Sequence, residues 1–223
     1  MIRITAISDV HGKQDQLRGP LPGGDILFCT GDITPRHDHT LNGIEIFLNW
    51  LDMQNYTYKV LICGNNDYIF QKYDLQMRDL IRQNYKSIVY LNDEQISLTV
   101  QNVNVSIFGT PHSVNGQNNA FVLNTLPDLQ NRFINCNHPD FVLSHGPPLG
   151  ILDYNCGCPY LRRVIEEQSP KFHIFGHIHD GFGHLALNGT VFINGAVLSL
   201  YYKVTGNVKN FVWDVQKGNV QFV

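Results

Sequence analysis

Six runs rich in β-branched and aromatic residues, Ile2 to Ser8, Ile26 to Thr30, Lys59 to Cys63, Val103 to Gly109, Phe141 to Ser144 and Phe172 to Phe175, each end in a polar, glycine-bearing loop. They read as buried strands, and helical patterns lie between them. Leu41, Ile44, Phe47, Leu48 and Leu51 share one helical face, as do Met77, Leu80 and Ile81, and then Leu161, Val164 and Ile165. Pro159 suits a helix start and Pro170 a stop. Strands alternate with helices in the first half and dominate from Ile88 onward, which predicts two packed sheets with helices outside. Val191 to Val223 reads as further strands turning at Gly206 and Gly218. No repeat, low-complexity tract or proline-rich linker interrupts the pattern, so a single domain over residues 1–223 is expected.

Composition narrows the partners. Hydrophobic residues make up 43% of the 223, enough for a sizeable core. Charged residues are only 16% and the formal net charge is -3, so neither a basic nucleic-acid footprint nor an acidic tail is present. An anionic substrate must therefore be attracted locally. The first apolar run contains Arg3 and Asp9, and no apolar stretch reaches membrane-spanning length, so a cytoplasmic protein without a membrane partner is expected. Cys29 and Cys63 fall inside apolar runs, where a reduced buried thiol is the ordinary finding. Cys156 and Cys158 flank Gly157 like a metal clip, but no second cysteine pair completes four ligands, and a plain loop is the better reading.

Parallel strands in α/β sheets place their functional loops at the carboxyl ends, and the polar clusters fall there. In chain order these are Asp9-Val10-His11-Gly12, Gly31-Asp32, Gly64-Asn65-Asn66-Asp67, Ser144-His145-Gly146 and Gly176-His177-Ile178-His179. Carboxylate, imidazole and amide oxygen form a mixed donor set that suits Zn, Mn, Fe or Ni better than calcium or a thiolate zinc. Asp9 and His11 stand two apart and converge on one ion if the strand bends there. His177 and His179 repeat that spacing, and alternating residues on a strand point the same way. If Asp32 lies between the two groups, its oxygens can bridge two cations, whose positive charge then attracts phosphate. Taken singly, each of these residues is an ordinary turn or strand-end residue; the ordered ensemble carries the reading.

The blocks resemble, in order, the motifs of the calcineurin-like metallophosphoesterase superfamily: Asp-Xaa-His, Gly-Asp, Gly-Asn-His with an acid, a mid-chain histidine, and Gly-His-Xaa-His. The resemblance is closer to the small metallophosphoesterase-domain (MPPED-type) proteins, through Gly31-Asp32-Ile33-Thr34, Gly109-Thr110-Pro111, Ala120-Phe121, Ser144-His145-Gly146-Pro147-Pro148, Gly157-Cys158 and Phe175-Gly176-His177-Ile178-His179. It implies an α/β fold, a four-layer αββα sandwich of two mixed β-sheets flanked by helices. It also implies two divalent ions, one held by Asp9, His11, Asp32 and His179, the other by Asp32, Asn65, His145 and His177. A water between the ions would attack phosphorus in line, hydrolysing a cyclic nucleotide or another small phosphodiester.

The sequence departs from that pattern at Asn66, where the family places a histidine that protonates or orients the leaving group. Asparagine donates a hydrogen bond but no proton. Asn66 and Asp32 are thus the residues set at the reaction itself, and a slow enzyme preferring good leaving groups or strained cyclic diesters is expected. Asn66→His should raise turnover on a simple aryl phosphodiester unless His112, His37, His39 or His184 supplies the proton. Asp67 orients Asn66 or a metal ligand, or is a turn residue. Pro147 to Tyr160, with Gly150, Asp153, Tyr154 and Asn155, roofs the pocket or forms a rigid loop, and Asn194 lines the site or turns the chain. The alternatives are a phosphomonoesterase or nuclease on the same metals, and a nucleotide-binding or scaffold member without useful turnover.

Overall fold

The structure, a computed structural model, describes residues 1–17, 20–36, 38, 40–114, 119–123, 126–205 and 208–223. The chain first builds β1 (Ile2–Ile7), β2 (Gly24–Thr30), α1 (Leu41–Asp52), β3 (Tyr56–Ile62), α2 (Tyr68–Lys72), α3 (Asp74–Asn84) and β4 (Ile88–Tyr90). It continues with β5 (Glu94–Val100), β6 (Val103–Thr110), the short β7 (Ser113–Val114) and β8 (Val122–Leu123), then α4 (Leu126–Arg132), β9 (Phe141–Ser144) and α5 (Pro159–Gln168). Last come β10 (Phe172–Phe175), β11 (Gly183–Leu187), β12 (Thr190–Asn194), β13 (Lys209–Asp214) and β14 (Asn219–Phe222).

Two six-stranded sheets result, ordered β14-β13-β1-β2-β3-β4 and β11-β12-β10-β9-β6-β5. β1 to β4 run parallel in the first and β6, β9, β10 and β12 in the second, with antiparallel strands at the edges. Alternate residues sort onto opposite faces, as the pleat requires. Ile4, Ala6, Ile26, Phe28, Val60 and Ile62 of the first sheet meet Ile107, Phe141, Leu143, Phe172 and Ile174 of the second. Ile7, Leu27, Cys29 and Leu61 turn the other way, onto Ile44, Phe47, Leu48 and Leu51 of α1 and Met77 and Ile81 of α3. Phe108, Val142 and Phe175 likewise pack outward against Leu129 of α4 and Leu161, Val164 and Ile165 of α5. These three apolar seams define the four layers of an α/β sandwich of two mixed sheets. Phe141 and Phe172 stack at 4.6 Å between neighbouring strands, and each such buried ring contributes about 1.5–3 kcal/mol.

Several details differ from the sequence reading. β3 starts at Tyr56 and β2 at Gly24, because their first residues pair across the sheet although they are less uniformly apolar. The stretch after Ile88 holds α4 between its strands in addition to the expected helix α5. Pro159 does open α5, and Ser169, in the left-handed conformation at φ +48°, closes it just before Pro170. Gly218 turns the β13–β14 hairpin, whereas Gly206 lies outside the described residues. Among the described residues no helix is long and apolar enough to cross a membrane.

His173 on β10 is fully buried between Phe175 and Phe192, its Nε2 2.8 Å from Ser144 Oγ, and burial pushes its imidazole down to about 3 from 6.5. The folded state therefore needs it neutral, and the unfolded chain binds the proton first. Stability is complete above the unfolded value of 6.5 and is lost as the pH falls from there toward 3. His173→Gln should remove this dependence, so that wild type loses roughly 2 kcal/mol more than the variant between pH 7 and pH 5 in urea unfolding. Equal losses in the two proteins would place the acid sensitivity elsewhere.

Candidate active site

The carboxyl ends of the parallel strands of both sheets meet at one end of the sandwich, tied by backbone bonds. Asp9 N donates to Gly31 O, His11 N to Asp32 O and Gly12 N to Ile33 O, each at 3.0 Å, which zips the loop after β1 to the loop after β2. Ser8 N donates to Gly195 O at 2.8 Å and Val197 N to Ser8 O at 3.0 Å, which fastens the first sheet to the loop after β12. His177 N donates to Asp9 Oδ2 at 2.8 Å. Asp9, His11, Asp32 and His177 all have left-handed φ, at +57°, +44°, +52° and +67°. Asp and His tolerate that region better than most residues, yet four of them together require surroundings that over-determine the loops, as functional sites do.

The seven sequence-predicted ligands are brought together. Asp9, Asp32 and His145 are at most 2% exposed, and His11, Asn65 and His179 are also buried. Asp32 is central: its Oδ2 lies 3.4 Å from His11 Nε2 and its Oδ1 3.5 Å from His145 Nε2. Asp9 Oδ1 lies 3.5 Å from His179 Nε2. Ligand atoms of Asp9, His11 and His179 all fall within 4.8 Å of one another, as do those of Asp9, Asp32 and His145. His177 stands beside His145 with ring centroids 5.0 Å apart. The two terminal histidines do not converge by strand alternation, since β10 ends at Phe175; His177 sits in a left-handed turn and His179 opens a single 3₁₀ turn. The bend after the strand, rather than its pleat, aims them.

Hydrogen bonds fix the tautomers. His145 Nδ1 lies 2.8 Å from Thr30 O and His179 Nδ1 2.9 Å from Ser199 O. A carbonyl only accepts, so each Nδ1 carries the proton and each Nε2 turns a lone pair toward the carboxylates, the arrangement that backbone carbonyls impose on metal-binding imidazoles. His145 Nε2 then faces another acceptor, Asn65 Oδ1, at 2.9 Å. Asp9 Oδ1, both ring nitrogens of His11 and Ser8 Oγ are buried without a hydrogen-bond partner. Convergent acceptors and orphaned buried donor atoms of this kind fit cations placed among them.

Electrostatics agree. Burial would raise the Asp9 carboxyl, but His179 at 3.5 Å, together with His145 and His11, holds it well below the usual range. Burial lowers His11 despite the opposing pull of Asp32 and Asp9. Burial and then the His145 charge push His177 down to about 4, leaving a neutral imidazole at pH 7. His145 and His179 are raised, because the carboxylates beside them outweigh burial.

Two glycines keep the centre open. A Cβ on Gly64 would fall on the Asp32 carboxylate and within 2.6 Å of His145 Cε1, and one on Gly176 would fall on Ser8 Oγ and the Asp9 carboxylate. Asn66 donates its backbone N–H to Asp32 Oδ1 at 2.8 Å and its Nδ2 to Asp32 Oδ2 at 2.6 Å. Asp67 does not orient Asn66 through its side chain. It accepts from Gly64 N at 2.7 Å, Ile33 N at 3.1 Å and Thr34 Oγ1 at 3.0 Å, binding the second motif loop to the third. Burial, and next the Asp32 charge, raise its carboxyl to about 7.

Other candidates separate clearly. His184 stacks on Phe222 at 3.6 Å, with β11 and β14 being edge strands, and takes no part in the ligand cluster. His37 and His39 lie outside the described residues. Asn194 is fully buried; its Nδ2 donates to Ile178 O at 2.9 Å and Leu152 O at 3.3 Å, so it braces the last motif loop. Pro147 to Tyr160 is pinned by Asp153, which accepts from Gly150 N at 2.8 Å and Gly157 N at 2.9 Å, and its Pro147, Cys156 and Cys158 line a recess that His177 also borders. Cys158 caps α5 through Leu161 N and Cys156 is exposed, so the pair makes no clip. Sequence reasoning missed Tyr202 and Arg36. The Tyr202 ring stands edge-on to His11 and His179 at 5.2 and 5.0 Å, with the Arg36 guanidinium 4.8 Å above it. Tyr201-Tyr202 carries no glycine or spacing that would have marked it.

Comparisons with known proteins fit this geometry. The chain is 27% identical over 239 residues to human metallophosphoesterase domain-containing protein 1, covering 90% of this chain and 68% of that protein. Its fold is shared with TT1561 of Thermus thermophilus, at TM-score 0.70 and 14% identity over 100% of this chain and 98% of that one. It is also shared with an archaeal phosphodiesterase, at TM-score 0.53 and 13% identity over 100% and 99%. The model of the calcineurin-like phosphoesterase family matches residues 2–181, most of the chain and every loop of the cluster, and the chain belongs to that family.

Proposed function

We propose that the protein is a two-metal phosphodiesterase acting on small phosphodiesters, cyclic nucleotides among them. The observation that carries the reading is the central Asp32, whose two carboxylate oxygens face different histidines amid buried donor atoms that lack partners. One ion would be held by Asp9, His11, Asp32 and His179 and the other by Asp32, Asn65, His145 and His177. When bound, Mn, Fe, Zn or Ni supplies Lewis acidity, making water acidic and offsetting charge on the phosphoryl oxygens.

The chain's own groups do the positioning. Thr30 O and Ser199 O lock the rings of His145 and His179. Asn66 holds the Asp32 carboxylate through two hydrogen bonds and supplies no proton. Reduced turnover on poor leaving groups follows wherever no other side chain supplies one, because general acid catalysis is worth about 10² to 10⁴ in rate. Arg36, held over Tyr202 beside the cluster, offers a guanidinium to the anionic ester.

The test is initial hydrolysis of a bis-aryl phosphodiester, an aryl phosphomonoester and a 2′,3′-cyclic nucleotide by metal-stripped protein reconstituted with Mn. Diester turnover should appear on metal addition and exceed monoester turnover. Metal bound without turnover on any of the three substrates would favour the second reading, a nucleotide-binding member, for which Asn66 is the supporting observation.

A further inference from the structure

Beside His177 lies a recess lined by His112, Leu129, Phe133, Pro147 and Cys158, with Ser113 and Gly146 at its wall. It borders the site directly: Gly146 follows the candidate ligand His145, and its backbone packs close enough to Ser113 that a Cβ there would meet Ser113 Cβ at 3.3 Å. Most of the wall is apolar, and His112 is its titratable member beyond the ligand cluster apart from the cysteines. The loop carrying His112 is anchored to the third motif by Ala120 N donating to Asn65 O at 2.9 Å and Ser113 N to Phe121 O at 3.1 Å.

His112 is unusually well held for a loop residue. Its Nδ1 lies 3.1 Å from Asp93 Oδ1, and its ring meets Phe121 edge-on at 5.6 Å. Asp93 is itself fixed by Thr110 Oγ1 at 2.7 Å and Arg132 Nη1 at 3.1 Å. Burial would raise the Asp93 carboxyl, but hydrogen bonds from His112 and Thr110 and the charges of His112 and Arg132 hold it below the ordinary range, so it stays an acceptor. Nδ1 therefore carries a proton. Nε2 makes no hydrogen bond to any described residue. An imidazole oriented by a carboxylate at the wall of a pocket is the geometry of a general acid or base.

We infer that His112, oriented by Asp93 at the wall of this recess, gives the leaving alcohol of the substrate its proton in place of position 66. This rests on the phosphodiesterase reading above. The oxygen of water forms the new P–O bond while the P–O bond to the alcohol breaks. The alcohol oxygen keeps the electron pair and takes the proton from His112 Nε2, and a proton from the attacking water returns to the imidazole when the products leave.

The experiment compares aryl phosphodiesters whose phenols range from 4-nitrophenol to phenol, with wild type, His112→Gln, Asp93→Asn and the double variant His112→Gln/Asn66→His, all reconstituted with Mn. A good leaving group departs without help and a poor one does not. His112→Gln should slow the 4-nitrophenyl ester a few-fold and the phenyl ester by about a hundredfold. Asp93→Asn should act in the same sense more weakly, and the double variant should regain much of the phenyl-ester rate. An independent readout is imidazole NMR of the metal-free protein, in which His112 should appear as the Nδ1–H tautomer in wild type and lose that preference in Asp93→Asn. Equal losses across the ester series, or a His112 tautomer indifferent to Asp93→Asn, would overturn the assignment while leaving the metal-dependent activity standing. No metal-dependent turnover in wild type would instead remove the reading beneath it.

Discussion

Asp32→Ala is expected to lower metal-dependent hydrolysis by about a thousandfold or more, since on the two-metal proposal one substitution would remove a donor from both ions. Asp32 Oδ2 serves the His11 side and Oδ1 the His145 side, and both oxygens also receive hydrogen bonds from Asn66. Loss of the carboxylate thus frees the third motif loop as well as the cations. Metal content by elemental analysis should fall together with rate, and Asp32→Asn, which keeps the shape but not the charge, should bind metal better than the alanine variant. Full metal occupancy with undiminished turnover in Asp32→Ala would show that the centre is not built around this residue.

Gly64→Ala keeps every ligand and should still disable the site. Its backbone does not have positive φ, so the effect is purely steric: the new methyl falls on the Asp32 carboxylate and within 2.6 Å of His145 Cε1. Both neighbours are buried and held, so neither can give way without leaving its place. Overpacking of this kind costs about 1–3 kcal/mol of stability, and displacing reacting groups by about 1 Å costs about a hundredfold in kcat/KM. Gly189→Ala is the control. Its φ of +85° makes it mildly strained, but nothing lies within 4 Å of its Cβ, so it should lose some stability and no metal. Thermal unfolding with and without Mn would separate the two: the Mn-induced rise in Tm should vanish in Gly64→Ala and survive in Gly189→Ala. A retained Mn-induced rise in Gly64→Ala would mean that the loop has room that its contacts deny.

Much of this was legible in the chain. Runs such as Ile26 to Thr30 are apolar on both faces because the central β-strands of the pair of sheets are covered on both sides, and that doubled burial is what made them visible without alternation. The ligand loops were visible because polar residues with adjacent glycines interrupt those runs at their carboxyl ends. The route by which His177 and His179 converge was not, because left-handed turns are set by bonds to distant residues such as Asp9 Oδ2 and Asn194. Edge strands such as β5 alternate weakly and half-expose their residues, so their pattern is faint. Tyr202 and Asp93 reach their partners through tertiary packing alone, with no local spacing to announce them.

The candidate ligands come from both halves of the sandwich, Asp9, His11, Asp32 and Asn65 from strand ends of one sheet and His145, His177 and His179 from the other. The two halves therefore behave as the jaws of a clamp. Phe28 of one jaw meets Phe141 of the other at 5.0 Å in the apolar seam between them, and His145 Nδ1 reaches Thr30 O at 2.8 Å at the mouth. Side chains deep in that seam act as shims. A change in their volume should alter the gap at the mouth, so a change of metal affinity is expected from residues that never approach the cluster.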